Sequence, residues 1–274
     1  MTPNLPEALP YEPHDQMLKA LLGILSTSYI AWYLENHESM AVYPFDTTYV
    51  QPSNAGAPNL SETRFVAEDG TELIIWTADA RGGQPTILYL SGNAGGLRDR
   101  ADRLNILVDA GFGVVAPAYR GSSGSSGSPE EELLIDDAHA LSENLPYPTI
   151  LYGESLGAAL AIRLAASGFG SAVVLEAPFT SLIDLLAVQY PNEDVADSIT
   201  QRWESMSHIG SLTQKLLVIH GENDRLVPFS MGKRIFNAAA SDDKLFLRVA
   251  GAGHTDLWTD DVLESLFVFL GQDF

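Results

Sequence analysis

Short, continuously apolar runs recur along this chain, and segments with a helical pattern separate them. Six such runs follow residue 85, at 86–90, 113–117, 149–152, 172–175, 216–220 and 245–249. Segments this apolar are buried on both faces, as the strands of a parallel sheet are. The helical segments lie at about 98–110, 130–144, 156–167, 182–190, 230–240 and 260–270. Alternating strands and helices predict an α/β fold, in which helices cover both faces of a parallel sheet.

Two further β-like runs precede the parallel strands. They read E-T-R-F-V-A and E-L-I-I-W-T-A, and Glu68-Asp69-Gly70 joins them. Asp-Gly between such runs indicates a hairpin, which would form an antiparallel leading edge of a mostly parallel sheet of about eight strands with right-handed crossovers. A length of 274 residues suits one such domain. We assign that domain to residues 42–274 and assign 1–41 to an N-terminal lead-in and apolar helix.

Composition excludes several classes of function. The chain has 36 acidic and 15 basic residues, a formal charge of −21, and only four lysines. A field of this sign repels nucleic acid. The chain has no cysteine, and no two of its six histidines have the H-x-H or H-x-x-x-H spacing of a metal site. It also lacks G-x-G-x-x-G and a Walker lysine, so we expect no metal and no cofactor.

The N-terminal region leaves the cellular location open. Residues 1–16 carry four prolines and three acids, which predicts an extended lead-in. The apolar run 20–34 is shorter than the roughly 20 residues of a membrane span. A cleaved signal peptide fits poorly, because the leading region is acidic and no A-x-A site follows. A docked helix, an interfacial anchor and a short membrane anchor all remain open, so the protein is expected to be cytoplasmic or membrane-associated.

The segment Gly121 to Ser128 has the low-complexity sequence G-S-S-G-S-S-G-S. As a linker it would be flexible. It lies between a strand and a helix that opens at Pro129-Glu130, because proline at the first helical position and acids in the first turn mark a helix start. This position favours a surface loop inside one domain.

The sequence Gly153-Glu154-Ser155-Leu156-Gly157 is the only G-x-S-x-G in the chain. A strand-like run precedes it and a helical pattern follows it, which is the setting of a nucleophilic serine on a sharp turn. The glycines leave room for that turn, and the helix N-terminus favours a developing anion. We therefore predict that Ser155 is a nucleophile.

A serine nucleophile needs a base, and the base needs an orienting acid. His254 follows the last strand in a glycine-rich loop, and Asp224 follows the strand L-L-V-I-H. Sites of open α/β sheets lie at the carboxyl ends of their strands, so we assign His254 as the base and Asp224 as the acid. Glu176 is the rival acid because it ends the preceding strand, and Glu222 is a weaker one.

The oxyanion hole is predicted to use two main-chain amides. One belongs to Leu156, directly after the nucleophile. The other lies in the loop 91–96, S-G-N-A-G-G, where we select Asn93 and keep Ala94 as the alternative. Glu154 would raise the cost of an oxyanion if it pointed inward, so we predict that its carboxylate turns away, to a cation or water.

Several motifs together resemble the α/β-hydrolase superfamily. They are L-Y-L-S-G-N-A-G-G, A-Y-R-G-S-S-G-S-S-G-S-P-E-E, Y-G-E-S-L-G, E-A-P-F-T-S-L, V-I-H-G-E-N-D-R-L-V-P and G-A-G-H-T-D. The chain is most similar to the serine-aminopeptidase-like branch with a minimal lid, across about residues 42–270. Some members of that branch have an N-terminal membrane helix followed by a Y-P segment, which Val42-Tyr43-Pro44 matches. Ser91 is a departure, since the superfamily often has histidine before Gly92.

The resemblance implies acyl transfer by Ser155, Asp224 and His254. A small lid favours an open site, and we expect an ester or thioester of a small molecule or an acylated partner as substrate. An aminopeptidase that anchors an amine through Glu154 or Glu176 is one alternative, and a catalytically silent binding module is another. The oligomeric state stays open. We place a short lid at about 178–213 and expect its apolar side chains to belong mainly to the core, with Leu257 and Trp258 as a further candidate wall of the acyl site.

Overall fold

A computed structural model describes residues 27–191 and 199–271. The strands are β1 (Ser61–Val66), β2 (Glu72–Ala78), β3 (Thr86–Leu90), β4 (Gly113–Pro117), β5 (Thr149–Glu154), β6 (Ala172–Glu176), β7 (Lys215–Gly221) and β8 (Lys244–Val249). The α-helices are α1 (Thr27–Val42), α2 (Ala101–Asp109), α3 (Glu131–Ser142), α4 (Leu156–Ala166), α5 (Leu182–Gln189), α6 (Ser205–Ile209), α7 (Phe229–Ala238) and α8 (Asp260–Phe269). Two 3₁₀ helices cover Pro52–Ala55 and Leu97–Arg100.

Within these residues one eight-stranded sheet has the order β1-β2-β4-β3-β5-β6-β7-β8. Strands β1 and β2 pair antiparallel, and β2 joins β4 in the same sense. The remaining neighbours are parallel. The hairpin thus forms the antiparallel edge, as the Asp-Gly turn predicts, and the carboxyl ends of β3 to β8 share one edge of the sheet.

Two apolar layers enclose the sheet. Side chains of α3, α4 and α7 pack on one face, and side chains of α2 and α8 pack on the other. The central strand β3 is buried along its whole length, because both of its faces are covered. The edge strand β1 has only exposed and half-buried positions. The predicted architecture, with helices on both faces, is confirmed.

The loop 121–128 is a tightly bonded part of the domain. The hydroxyl of Ser125 accepts the N–H of Ile74 at 2.9 Å and donates to the carbonyl of Ala118 at 3.0 Å. The hydroxyl of Ser123 accepts the N–H of Leu97 at 2.9 Å. The segment therefore joins β2, the end of β4 and the loop after β3.

The start of helix α3 differs from the prediction. The helix begins at Glu131, with Glu130 as its N-cap, so Pro129 lies before the helix and not at its first position. Glu131 and Glu132 occupy the first turn, where their charge favours the helix dipole. The acids, and not the proline, mark the start of this helix.

Helix α1 docks on the predicted lid. Leu34 is 8% exposed and packs with Ile199 in a small apolar cluster that includes residues of α5. Glu38 accepts the N–H groups of Thr200 at 2.6 Å and Gln201 at 2.8 Å. Residues 20–26 of the predicted apolar run, and the lead-in 1–16, lie outside the described residues. No helix in the described ranges has both the length and the apolar character to cross a membrane.

Among the described residues, the predicted lid segment is attached to the domain at a second point. Glu131 of α3 accepts the N–H groups of Arg202 at 2.5 Å and Trp203 at 2.9 Å. Phe179 and Trp203 are 3% and 1% exposed and belong to the main core, which confirms the core assignment for these two. The carboxylates of α1 and α3 together hold four consecutive amides, those of residues 200–203.

Candidate active site

Ser155 lies on a sharp turn between β5 and α4. It is the N-cap of the helix, with φ 51° and ψ −107°, a conformation that residues with a side chain rarely adopt. Its N–H donates to the main-chain oxygen of Glu176, on the neighbouring strand β6, at 2.8 Å. Such strained backbone persists only where the surroundings fix it, and it concentrates at functional sites.

The two glycines of the motif permit close contacts on both sides of Ser155. A Cβ on Gly157 would press into the main-chain oxygen of Leu90 and lie 2.7 Å from that of Ser91. A Cβ on Gly153 would lie 2.6 Å from the Cα of Ala158. These neighbours are backbone atoms that cannot move aside, so the turn requires glycine at both positions.

Asp224 and His254 form a direct pair at the carboxyl edge of the sheet. The Nδ1 atom of His254 lies 2.7 Å from the Oδ2 atom of Asp224. The Asp224 side chain is fully buried, whereas 17% of the His254 side chain is exposed. The imidazole is therefore the accessible member of the pair.

Main-chain contacts hold the two loops of this pair together. The N–H of Asn223 donates to the carbonyl of Ala252 at 2.8 Å. A Cβ on Gly221 would press into the main-chain oxygen of Gly253. The loop after β8 thus crosses directly over the end of β7, which sets His254 against Asp224.

The second oxygen of Asp224 is also satisfied. Oδ1 accepts the N–H groups of Leu226 and Val227, each at 2.8 Å. Burial acts to raise the pKa of Asp224, but the hydrogen bond and charge of His254, aided by the Val227 N–H, outweigh it and lower the pKa. Asp224 is therefore held as a carboxylate, the form that can orient an imidazole.

His220 is a second, fully buried imidazole beside this carboxylate. Its Nε2 lies 3.0 Å from the carbonyl oxygen of Val227 and 3.5 Å from Oδ2 of Asp224. Burial lowers the pKa of His220, so the ring is neutral and Nε2–H donates to Val227. Within the described part of the chain, no three side chains of His, Asp or Glu could hold a metal ion.

Ser155 shares the carboxyl edge of the sheet with this pair. Across residues 27–191 and 199–271, the Ser155 hydroxyl makes no hydrogen bond to His254. In enzymes without substrate, catalytic hydrogen bonds are often long and shorten when substrate binds. The structure thus brings His254 and Asp224 into contact and places Ser155 at the same edge of the sheet, at the end of β5.

The two predicted oxyanion amides belong to the helix that follows Ser155 and to the loop after β3. Leu156 begins α4, where the first N–H groups have no intrahelical partner. Asn93 lies in the loop after β3, and its side chain donates to the carbonyl of Val42 at 2.8 Å. Neither main-chain N–H donates a hydrogen bond within the described residues. Both amides are therefore available to an acceptor; Ala94, the alternative to Asn93, lies in the same loop.

The carboxylate of Glu154 pairs with a cation, as predicted. Arg100 donates to it from Nη2 at 2.7 Å and from Nε at 3.1 Å, and the hydroxyl of Tyr89 donates at 3.0 Å. Burial acts to raise the pKa of Glu154, but the charges of Arg100 and Arg103 outweigh it and lower the pKa. The negative charge next to Ser155 is therefore neutralised by these two arginines.

Glu176, the rival acid, forms a separate set of contacts. Its carboxylate accepts from Arg103 Nη1 at 2.9 Å, from the Tyr152 hydroxyl at 2.5 Å and from Trp258 Nε1 at 2.8 Å. Burial, followed by the charge of Glu176, raises the pKa of Tyr152, which keeps this phenol a donor. Three donors occupy the carboxylate, and His254 is not among them.

The candidate wall is wrong for Leu257, and Trp258 is half-buried. Leu257 is fully buried and packs in the core beneath α8. Trp258 directs its N–H to Glu176 and lies against the guanidinium of Arg103, 4.8 Å from ring centroid to Cζ. Leu257 thus belongs to the core, and Trp258 links the segment after His254 to Glu176 and Arg103.

Comparison with known proteins identifies the family. Residues 87–211 match the model described as the alpha/beta hydrolase family. An uncharacterized protein of Mycobacterium tuberculosis is 31% identical over 246 residues, which cover 86% of this chain and 87% of that protein. The chain belongs to the α/β-hydrolase family.

Two further similarities add detail. The lysophosphatidylserine lipase ABHD12 of Danio rerio is 32% identical over 186 residues, which cover 59% of this α/β-hydrolase and 49% of that lipase. The esterase Pf2001 of Pyrococcus furiosus superposes with a TM-score of 0.67 at 19% identity, over 83% of this chain and 97% of the esterase. The superposition on this esterase shows that the two proteins share a fold.

Sequence reasoning did not identify Arg100 and Arg103 as part of the site. The two lie three residues apart, a spacing that places side chains on one face of a helix. Two arginines this close together are unusual in a chain with so few cations. This spacing was the available sequence signal for a buried charge cluster. Their partners are 54 and 73 residues away, beyond any local pattern.

Proposed function

We propose that this α/β-hydrolase is a serine hydrolase that cleaves an ester or thioester bond. Ser155 is the nucleophile, His254 the general base and Asp224 the residue that orients the imidazole. The amides of Leu156 and Asn93 bind the oxyanion. The observation that carries the proposal is the 2.7 Å contact of His254 Nδ1 with buried Asp224, at the same edge of the sheet as the strained turn of Ser155.

The reaction follows from these positions. His254 takes the proton of the Ser155 hydroxyl as Oγ attacks the acyl carbon, and the two amides stabilise the oxyanion by about 3 kcal/mol per donor. His254 then protonates the leaving alcohol or thiol as its bond to the acyl carbon breaks. Water, deprotonated by His254, attacks the acyl-enzyme, and Ser155 recovers its proton as the acid is released.

The electrostatics of the site support this chemistry. Asp224 is ionised and buried, so it stabilises the imidazolium that forms when His254 takes a proton. Arg100 and Arg103 neutralise Glu154, so the oxyanion does not develop beside an uncompensated charge. The N-terminus of α4 adds a favourable dipole at the same point.

The choice of an oxygen or sulfur ester follows from the relatives and from the carboxylates. One relative is a lysophosphatidylserine lipase and one structural neighbour is an esterase. Aminopeptidase activity needs a free carboxylate for the substrate's amine, whereas Glu154 and Glu176 are both paired with arginine. This pairing favours ester cleavage, on a small molecule or an acylated partner.

Covalent labelling combined with substrate profiling tests the proposal. A fluorophosphonate probe should label the wild-type protein and fail to label Ser155→Ala, whereas Ser167→Ala, beyond the far end of α4, should label like wild type. A panel of short and long p-nitrophenyl esters, thioesters and aminoacyl amides then defines the bond. Absence of labelling in the folded wild-type protein would identify a silent binding module, and cleavage of amides alone would identify an aminopeptidase.

A further inference from the structure

A buried group of charges lies directly behind Ser155. This group, called the Arg–Glu cluster here, consists of Arg100, Arg103, Glu154 and Glu176. Their side chains are 13%, 16%, 15% and 1% exposed. Two cations balance two anions, and burial at this level is costly unless each charge is paired and hydrogen-bonded.

Glu176 connects the cluster to the nucleophile turn. Its main-chain oxygen accepts the N–H of Ser155 at 2.8 Å. Its carboxylate accepts from Arg103 on α2 and from Trp258 in the segment that follows His254. Glu176 is therefore bonded to the turn of Ser155 through its backbone and to the segment after His254 through its side chain.

Arg103 makes a second connection to the His254 segment. Its Nη2 donates to the carbonyl of Thr255, the residue after His254, at 3.5 Å. Its guanidinium also lies on the ring of Trp258, 4.8 Å from the centroid. The planar, multidentate guanidinium thus contacts Glu176, Thr255 and Trp258 together, which the point charge of lysine cannot reproduce.

We infer that Arg103 is a positioning residue that fixes His254 relative to Ser155. This role rests on the proposed function, since it concerns the alignment of the same base and nucleophile. Arg103 has no hydrogen bond to Ser155 or His254 within the described residues. It acts through Glu176 on the turn of Ser155 and through Thr255 and Trp258 on the loop of His254.

Two conservative variants test the role. Arg103→Lys keeps the charge and removes the planar, multidentate guanidinium. Trp258→Phe keeps an aromatic ring and removes the N–H donor to Glu176. Misplacement of a catalytic group by about 1 Å costs up to about 100-fold in rate. We expect each variant to lower kcat by about 10- to 100-fold, with KM within about twofold of wild type. Arg64→Lys, in the exposed pair with Glu72, is the matched control and should retain wild-type kcat.

A spectroscopic readout makes the test independent of turnover. A histidine Nδ1–H that donates to a carboxylate gives a strongly downfield proton resonance, which Asp224→Asn would assign. The resonance should persist in Ser155→Ala and be lost or shifted in Arg103→Lys and Trp258→Phe. If the wild-type protein hydrolyses no ester, the proposed function fails, and this resonance alone then decides whether Arg103 positions His254.

Melting temperature and circular dichroism separate positioning from folding. If Arg103→Lys does not fold, Trp258→Phe alone tests the positioning role. Wild-type kcat in the folded variants, or a reduced kcat with an unchanged resonance, would overturn the positioning role. A lower kcat with unchanged KM and an altered resonance supports it.

Discussion

The Nε2 atom of His220 lies 3.5 Å from the Oδ2 atom of Asp224, and both side chains are fully buried. The same oxygen is 2.7 Å from His254, so two imidazoles face one carboxylate. Burial keeps His220 neutral, and its N–H donates to Val227. His254, with its partly exposed ring, is thus the accessible imidazole of the two.

Replacing the acid tests this arrangement. Asp224→Asn keeps the size of the side chain but removes the charge that orients and stabilises the imidazole of His254, so kcat for an ester should fall by about 10⁴-fold. Glu222→Gln is the control, because Glu222 is exposed and paired with Arg248 at 2.8 Å. A larger loss in Glu222→Gln than in Asp224→Asn would assign the acid to Glu222.

Asp224 also gives stability a defined pH dependence. Because its pKa is lowered in the folded protein, the unfolded chain binds more protons between that pKa and the ordinary value of about 3.9. The contribution of Asp224 is therefore present above the ordinary pKa and is lost as the pH falls through the folded one. Urea unfolding at several pH values should show a shallower loss of stability below about pH 4 in Asp224→Asn than in wild type. Parallel curves would contradict this linkage.

The second glycine of the G-x-S-x-G motif should not tolerate a side chain. Gly157→Ala places a Cβ against the backbone of Leu90 and Ser91, so the free energy of unfolding should fall by about 3 kcal/mol and labelling of Ser155 should decrease. Gly210→Ala is the matched change, since a Cβ there meets nothing within 4 Å. Its unfolding free energy should stay within about 1 kcal/mol of wild type. Equal effects of the two changes would show that the contact at Gly157 does not matter.

The contact of α1 with the predicted lid segment should protect main-chain amides of that segment from hydrogen exchange. Glu38→Ala removes the acceptor of the Thr200 and Gln201 amides, so their hydrogen exchange should accelerate about tenfold, in line with a loss of about 1.4 kcal/mol. Glu35→Ala, at an exposed position of the same helix, should leave the exchange of these amides unchanged. Exchange in Glu38→Ala at the wild-type rate would mean that the lid is held by other contacts.

The serine-rich loop should contribute measurably to stability. Ser125→Ala leaves the N–H of Ile74 without its side-chain acceptor and should cost about 1–3 kcal/mol in thermal or urea unfolding. Ser128→Ala, at an exposed position, should change stability by less than about 0.5 kcal/mol. If the loop were flexible, Ser125→Ala and Ser128→Ala would have the same unfolding free energy.

The mostly parallel sheet, and the edge of it that carries the candidate residues, could be predicted because both depend on local patterns. Apolar runs mark the strands, and Ser155, Asp224 and His254 each follow such a run, so their shared edge is a consequence of parallel topology. The partners of Glu154 and Glu176 could not be predicted, because a buried charge pair depends on a fold-level contact. Trp258 shows the same limit: its sequence position suggested a substrate wall, whereas its N–H is bonded 82 residues away at Glu176.

The bonding of Ser123 and Ser125 has a practical consequence for protein engineering. A glycine–serine segment is the usual place to insert a tag, a cleavage site or a fluorophore, because it is taken to be an inert spacer. Here the hydroxyls of this segment are bonded to strand β2, to the end of β4 and to the loop that carries Asn93. An insertion at residues 121–128 would therefore perturb the loop proposed to supply an oxyanion amide.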